Sequence, residues 1–290
     1  MNYDKLLDEL AQDVVDKKII PFVGAGLSRN LGMPEWDELI NRVAEDLDID
    51  PDILKLQGDF LQIAEYHVIK YGGSKNRISK IIDRVLRSVE VDIGASRVHE
   101  CLVKMNFPKI YTTNFDEMIE LAFKYHGEDC CTIATLEDIL GARDNVTQIV
   151  KFHGTLNHDE TLVISESDYH NRLDMEGPLD IKLRSDLLGK TVLFLGYSFR
   201  DLNIRYMWSK LFKVMKSSCK AYMVTMKPNY LFETVYGRKG MKFICLDSDD
   251  FCHDFTLFME DLYKRIRVRG PEPGELGRPC SRSYAARQQK

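Results

Sequence analysis

The chain is 290 residues long, enough for one large domain with its own hydrophobic core. Hydrophobic residues make up 44% and charged residues 29%, which excludes disordered and collagen-like classes. A formal net charge of −5 argues against a general attraction for nucleic acid, and no apolar run reaches the roughly 18 residues of a membrane-spanning helix. The first residues form an acidic amphipathic pattern and not a cleavable leader. We therefore expect a cytoplasmic protein with neither a membrane nor a nucleic acid as its partner.

Six short, largely apolar segments have the composition of strands buried on both faces. They are 19–23, 109–113, 148–152, 191–195, 221–225 and 242–246. Between them lie segments with apolar residues at every third or fourth position, the spacing of amphipathic helices. Continuous apolar runs suit a parallel sheet that is covered by helices on both faces. The pattern therefore predicts an α/β fold with a doubly wound, mostly parallel, Rossmann-like sheet.

Two regions depart from this alternation. Residues 53–105 show helical spacing and no convincing strand, which predicts a helical insertion or lobe within a domain that spans 1–269. Residues 270–290 begin with a run rich in glycine and proline and then lack periodicity. We expect them to form a disordered tail or a segment foreign to the native protein.

Small and polar residues collect where four of the predicted strands end. The motifs, in chain order, are Gly24-Ala25-Gly26-Leu27-Ser28, Thr113-Asn114-Phe115-Asp116, Phe152-His153-Gly154 and Gly196-Tyr197-Ser198-Phe199-Arg200-Asp201. Ligands of open parallel sheets bind just beyond the carboxyl ends of the strands. The four motifs together therefore predict a binding site at that edge of the sheet.

Each motif also has an ordinary structural explanation when it is taken alone. Gly24 and Gly26 would let the backbone approach a phosphate, but a Gly-x-Gly also makes a tight turn without a ligand. The spacing fits neither the Rossmann fingerprint nor a P-loop. Asn114 and Asp116 precede a predicted helix and suit capping positions, as do Ser198 and Asp201. His153 would also serve as a structural histidine bonded to a neighbouring carbonyl.

In order and spacing, the four motifs resemble those of the sirtuin-like, NAD-consuming family. The resemblance runs over residues 18–208 and more weakly to 267. Deacylating sirtuins carry a four-cysteine zinc lobe, whereas the seven cysteines here form no C-x-x-C pair, so we expect no metal. The string 196–201 is similar to the bacterial branch used in anti-phage defence, of the Thoeris kind and related systems.

This resemblance implies an NAD glycohydrolase that cleaves NAD, its substrate, to nicotinamide and ADP-ribose. Depletion of host NAD upon infection would make it an abortive-infection effector. The chemistry suits such a site, because nicotinamide departs as a neutral molecule and requires no general acid. The protein must fix the pyrophosphate, orient the ribose and deliver a nucleophile.

The resemblance also implies roles for individual residues. Asn114 would contact the nicotinamide ribose and help place water, and His153 would act as general base with an ordinary pKa of about 6.5. Asp116, the third residue expected in catalysis, would lie behind the site or face the nicotinamide. Eight residues are expected to bind NAD. Gly24, Ala25, Gly26 and Ser28 would hold phosphate, and Gly196 and Ser198 would lie on the adenosine side. The set is Gly24, Ala25, Gly26, Ser28, Thr113, Gly196, Ser198 and Asp201.

Two other functions stay open at this point. One is an NAD-dependent protein deacylase or ADP-ribosyltransferase, and the other is a non-catalytic, nucleotide-binding regulatory subunit. A NADase that was always active would kill its host, so we expect gating by homo-oligomer formation or by a partner. A ring-forming ATPase or a phage-derived trigger would suit that role. The basic run 264–269 is expected to be a solvated helix end.

Overall fold

A computed structural model describes residues 3–172, 174–197, 205, 208–209, 212 and 220–270 of the chain. Its centre is a seven-stranded sheet in the order β3-β4-β2-β1-β5-β6-β7, and every pair of neighbours is parallel. The strands are β1 (Ile19–Val23), β2 (Lys109–Thr112), β3 (Cys130–Ile133), β4 (Thr147–Lys151), β5 (Thr191–Leu195), β6 (Lys220–Thr225) and β7 (Met241–Cys245). The predicted doubly wound α/β fold is confirmed.

The six predicted strands all occur, with each bound within one residue of its predicted position. The apolar pattern did not predict β3. This strand lies at the edge of the sheet and pairs only with β4, and Ile133 is its one buried residue. A strand with a single covered face has no continuous apolar run, which is why the criterion for buried strands missed it.

The helices of the described residues alternate with the strands, apart from a run of helices between β1 and β2 and a pair between β4 and β5. They are α1 (Tyr3–Val15), α2 (Ala25–Arg29), α3 (Trp36–Asp46), α4 (Pro51–Gln57), α5 (Phe60–Lys70), α6 (Asn76–Arg87), α7 (Arg97–Lys104), α8 (Met118–Tyr125), α9 (Leu136–Leu140), α10 (Glu166–Arg172), α11 (Pro178–Asp186), α12 (Tyr230–Gly237) and α13 (Phe251–Arg269). None of these described helices is both long and apolar enough to cross a lipid bilayer.

Alternate residues of each strand enter two different hydrophobic cores. In β1, Ile19 and Val23 join the core formed with α1, α7, α8 and α13, whereas Ile20 and Phe22 join the core on the opposite face. Trp208 and residues of α11 cover that second face. Burial on both faces explains why the strands read as continuous apolar runs.

A third hydrophobic cluster forms a helical lobe that we define as α3, α4, α5 and α6. Its limits differ from the predicted insertion. The lobe includes α3, which begins before residue 53, whereas α7 lies inside the range 53–105 but packs against α13 in the first sheet core. The extent of the domain over 1–269 stays a prediction, and the predicted tail beyond residue 270 lies outside the described residues.

Two of the four basic residues at the end of α13, Arg265 and Arg269, are engaged in ion pairs, whereas Lys264 and Arg267 are exposed as expected of a solvated helix end. Arg265 contacts the carboxylates of Asp4 at 2.6 Å, Asp8 at 2.8 Å and Asp261 at 3.1 Å. Arg269 also pairs with Asp8, at 2.7 Å. These contacts join the last helix to α1 and leave less basic surface than the sequence suggested.

Four neighbouring strands end at the same level of the sheet. Val23 of β1 is in register with both Thr112 of β2 and Leu195 of β5, and Thr112 is in register with Lys151 of β4. The four sequence motifs begin immediately after these residues. The strand register therefore places all four motifs side by side at one edge of the sheet.

Candidate active site

The loops that follow β1 and β5 pack directly against each other. The N–H of Gly24 donates to the carbonyl of Leu195, and the N–H of Gly26 donates to the carbonyl of Gly196, both at 2.9 Å. A Cβ atom at Gly26 would lie 2.7 Å from the Gly196 oxygen. The glycines are thus required for the close approach of two loops, and two of the four predicted phosphate-binding residues have their amides engaged inside the protein.

Three predicted site residues meet in one cluster, of which Ser28 and Asn114 are buried and Asp116 is half-buried. Asn114 Nδ2 donates to Ser28 Oγ at 3.3 Å, and Ser28 Oγ donates to Asp116 Oδ1 at 3.1 Å. Asp116 Oδ1 also accepts the N–H of Met118 at 3.1 Å, at the start of α8. Because the Asn114 amide group is used as a donor toward Ser28, its carbonyl oxygen is the atom that can accept from a ligand hydroxyl.

Threonine side chains fix the β2 loop that carries this cluster. Thr112 Oγ1 donates to the carbonyl of Val23 at 2.9 Å and accepts the N–H of Asn114 at 3.0 Å. Thr113, predicted to bind NAD, donates to the hydroxyl of Tyr197 at 3.4 Å. The β2 loop is therefore tied to the loops on β1 and β5.

A buried lysine supports the same loop from below. Lys151 is only 1% exposed, its Nζ donates to the carbonyl of Asp116, and it pairs with Glu120 Oε1 at 3.5 Å. Burial raises the pKa of Glu120, and its second oxygen has no hydrogen-bond partner among the described residues. Sequence reasoning did not select Lys151, although a lysine inside a predicted buried strand was an available signal.

His153 follows β4 and is 6% exposed. Its Nδ1 lies 3.4 Å from the hydroxyl of Tyr169 in α10, and the two rings meet edge to face with centroids 5.2 Å apart. Burial, reinforced by the charge of Arg172, lowers the pKa of His153 to about 3. The expected ordinary pKa is therefore corrected. The ring stays neutral at pH 7, with one nitrogen able to accept a proton.

Arg172 is a further charged group that sequence reasoning missed. Its guanidinium carbon lies 4.1 Å from the centre of the Phe152 ring, and its Nε donates to Asp180 Oδ1 at 3.2 Å. Burial lowers the pKa of Arg172 and raises that of Asp180. Nothing in the local sequence connects this pair to the histidine, because the fold alone brings α10 and α11 together.

A cleft of about 570 Å³ opens beside α2 and beyond the ends of β6 and β7. Its lining includes Arg29, Met226, Ser248, Asp250 and Phe251. Sequence reasoning placed no site residue there. The cleft lies at the same edge of the sheet as the four motifs, beyond the ends of β6 and β7.

The remaining predicted site residues, Ser198 and Asp201, lie outside the described residues. Gly196 lies in the loop contact with Gly26, and Ala25 begins the short helix α2. Within the described ranges, no group of three or more histidine, cysteine, aspartate or glutamate residues is arranged to hold a metal ion.

Comparison with known proteins identifies related chains. A family model described as a SIR2-like domain matches residues 108–244. The NAD(+) hydrolase ThsA of Enterococcus faecium is 30% identical over 249 residues, which cover 85% of this chain and 48% of the relative. ThsA of Bacillus cereus is 27% identical over 207 residues, or 71% of this chain and 42% of that protein.

A further relative is the defense-associated sirtuin 2 of Bacillus subtilis, 26% identical over 264 residues that cover 86% of this chain and 26% of the relative. The chain thus spans about half, or less, of the length of these three curated relatives. The sheet and the matched region define a SIR2-like domain. Residues 108–244 match a SIR2-like domain, and the chain is similar to ThsA and to a defense-associated sirtuin, so the resemblance predicted from its motifs is confirmed.

The loop contact predicts a large cost for Gly196→Ala. Gly196 has a φ of +61°, and an added Cβ would collide with the backbone of Gly26 and Leu27. Gly189 is the matched control, because its φ is +71° but no atom lies within 4 Å of the position that a Cβ would take. We expect Gly189→Ala to lower the free energy of unfolding by about 1 kcal/mol and Gly196→Ala to lower it by at least about 2 kcal/mol more. Urea denaturation measures both, and equal losses would contradict the steric argument.

The buried ion pair predicts that Lys151→Met destabilises the protein by about 3 kcal/mol, because it leaves Glu120 buried without its cation. The double variant Lys151→Met/Glu120→Met should recover part of this loss, since both charges are then removed. The free energies of unfolding of the wild type, both single variants and the double variant test this. Strict additivity of the two single changes would show that Lys151 and Glu120 do not interact.

The lowered pKa of His153 predicts a loss of stability in acid. In the unfolded chain its pKa is about 6.5, so below that pH the unfolded state binds a proton that the folded state does not. The free energy of unfolding is therefore not reduced by His153 above about pH 6.5. Below that pH it falls by about 1.4 kcal/mol per pH unit as the pH is lowered toward 5. Urea denaturation of the wild type and of His153→Gln across this range should show the shallower slope in the variant. Parallel slopes would refute the assignment.

Proposed function

We propose that the chain is an NAD glycohydrolase, which breaks the bond between nicotinamide and ribose and releases nicotinamide and ADP-ribose. The observation that carries the proposal is the register of β2 and β4. Thr112 is in register with Lys151, so Asn114 and His153 each stand two residues beyond the same paired level. Adjacent strands lie about 4.8 Å apart, a separation that one ribose can bridge. The names of the ThsA relatives, NAD(+) hydrolases, support the same activity.

The reaction requires positioning of the ribose and its nucleophile more than it requires acid catalysis. The nicotinamide of NAD is already cationic and leaves as a neutral molecule. In the proposed complex the carbonyl oxygen of Asn114 accepts from a ribose hydroxyl, in an orientation set by Ser28. His153 is neutral at pH 7, but with a pKa of about 3 it is a weak base. It therefore accepts the proton of a ribose hydroxyl or of the attacking water only as the cationic sugar of the transition state makes that group more acidic. Because these groups are buried, their hydrogen bonds to the reacting sugar are less screened than in water.

Asp116 takes a positioning role in this proposal. Its Oδ1 is engaged by Ser28 and by the amide of Met118, so the carboxylate links the β1 loop to the start of α8. Its effect on the reaction passes through Ser28 to Asn114 and does not require contact with the nicotinamide.

The remainder of NAD would extend along the same edge of the sheet. The pyrophosphate would cross the contact between the β1 and β5 loops near Ala25. The adenosine would continue into the cleft, where Phe251 offers an aromatic ring and Ser248 a polar group. NAD is then the substrate and not a resident cofactor.

We further propose a role in anti-phage defence, with activity gated by assembly or by a partner. The name of the B. subtilis relative, a defense-associated sirtuin, supports this setting. A homo-oligomer, a ring-forming ATPase or a phage-derived molecule would each provide the gate.

The test is nicotinamide release from NAD, followed by chromatography, with and without lysate from phage-infected cells. We expect His153→Ala and Asn114→Ala each to lower turnover by at least about 100-fold, because each removes a group that acts on the ribose or its nucleophile. Exposed residues of the same types serve as controls, and His158→Ala and Asn171→Ala should keep wild-type turnover. Melting temperatures close to the wild type would show that the loss is chemical.

Other outcomes decide between the alternatives. If the chain binds NAD but releases no nicotinamide under any condition, it is a nucleotide-binding subunit and not an enzyme. Release of acetyl-ADP-ribose from an acetyl-lysine peptide would identify a deacylase. Full activity in His153→Ala would refute its role as the base.

A further inference from the structure

The only hydrogen bond that the described residues give to the His153 ring comes from α10. Tyr169 Oη lies 3.4 Å from His153 Nδ1, and the edge-to-face contact of the two rings limits rotation of the imidazole. Phe152, the neighbouring residue, is covered on one side by the guanidinium of Arg172, which belongs to the same helix as Tyr169. The orientation of the imidazole thus depends on where α10 lies.

α10 is fixed to the helical lobe by polar contacts from Lys75 and Glu65, besides a longer hydrogen bond of 3.5 Å from Gln62 Nε2 to Glu166 Oε1. Lys75, at the start of α6, donates from Nζ to the carbonyl of Leu162 at 2.6 Å and pairs with Asp168 at 2.5 Å. Glu65 of α5 accepts the N–H of Ser167 at 2.9 Å and its hydroxyl at 3.0 Å. Ser167 and Asp168 directly precede Tyr169, so these contacts hold the tyrosine hydroxyl in place beside the imidazole.

A neutral imidazole can serve as a base only through the nitrogen that carries no proton. The hydrogen bond at one ring nitrogen decides which nitrogen that is. If Nδ1–H donates to a fixed oxygen, Nε2 keeps its lone pair free for a proton from outside the ring. A phenol oxygen can accept such a bond and, unlike a carboxylate, adds no charge that would raise the pKa of the imidazole.

We propose that Tyr169 is a positioning residue that holds His153 in the tautomer protonated at Nδ1, with Nε2 directed to the substrate. The role of Nε2 as base rests on the proposed function. The contact between Tyr169 and His153 and the tautomer that it selects do not depend on catalysis.

The test is ¹⁵N NMR of the full chain labelled at histidine, which reports the protonation of each ring nitrogen. His153→Gln identifies the His153 signals by their loss. We expect the wild type at pH 7 to show a protonated Nδ1 and an unprotonated Nε2. Tyr169→Phe keeps the aromatic ring but removes the acceptor, and the His153 population should shift toward the tautomer protonated at Nε2.

Tyr71→Phe is the matched control. The hydroxyl of Tyr71 donates to the carbonyl of Asp46 at 2.9 Å inside the lobe, and its ring lies 4.7 Å from that of His67. This variant should change the signals of His67 and leave those of His153 in place.

Kinetics provide the second readout. Tyr169→Phe should lower kcat for NAD cleavage about tenfold with KM unchanged, because the lost hydrogen bond orients the base and does not touch the substrate. A wild-type His153 protonated at Nε2, or a tautomer that is the same in Tyr169→Phe, would overturn the proposal. If the NMR result is as expected while no condition yields NAD cleavage, the proposed function fails and the positioning contact stands.

Discussion

The contact between the loops that follow β1 and β5 is the constraint on which the site depends. The Gly26 N–H reaches the carbonyl of Gly196 only because neither residue carries a Cβ atom between the two backbones. Ser28 follows within the same short helix, and this contact sets its depth, 1% exposed and below Asn114. From Ser28 the hydrogen bonds continue to Asn114 and to Asp116. A substitution at the loop contact would therefore displace the side chain of Asn114, the proposed catalytic amide, without contacting it directly.

Buried charge is the second element of the site, and it opposes stability. Lys151 and Arg172 are each paired with one carboxylate, and both lie beneath or beside the predicted catalytic residues. Pairs of this kind rarely stabilise a fold relative to apolar residues of the same size, because removing two charges from water costs about as much as their attraction returns. Here the ammonium of Lys151 fixes the carbonyl of Asp116, and the guanidinium of Arg172 helps to keep His153 neutral. The buried charges lower the stability of the fold, and they also fix the positions of groups at the proposed site.

Sequence reasoning reached the sheet and the four strand ends because their signal is local. Apolar runs identify strands buried on both faces, even β1, where Pro21 lies in a central strand without an N–H to donate and the ladder to β2 begins only at Phe22. The purpose of Gly24 and Gly26 was not readable, since it depends on a loop about 170 residues away in sequence. Lys151 gave a local signal that the search for strands passed over. Tyr169 gave none, because only the tertiary fold brings α10 to the imidazole.

The helical lobe contacts both halves of the proposed site. Phe115 stands between Asn114 and Asp116, and its ring belongs to the core of the lobe, 5.7 Å from the ring of Trp36. The ring of Phe115 is packed in the lobe, whereas its two polar neighbours both form hydrogen bonds with Ser28 Oγ. On the other side, Lys75 and Glu65 hold the helix that carries Tyr169. One packed unit thus sets the positions of Asn114, proposed to contact the ribose, and of Tyr169, proposed to orient the base. A movement of the lobe would change both together, so the proposed assembly or partner, if bound to the lobe, would have a direct physical route to the proposed site.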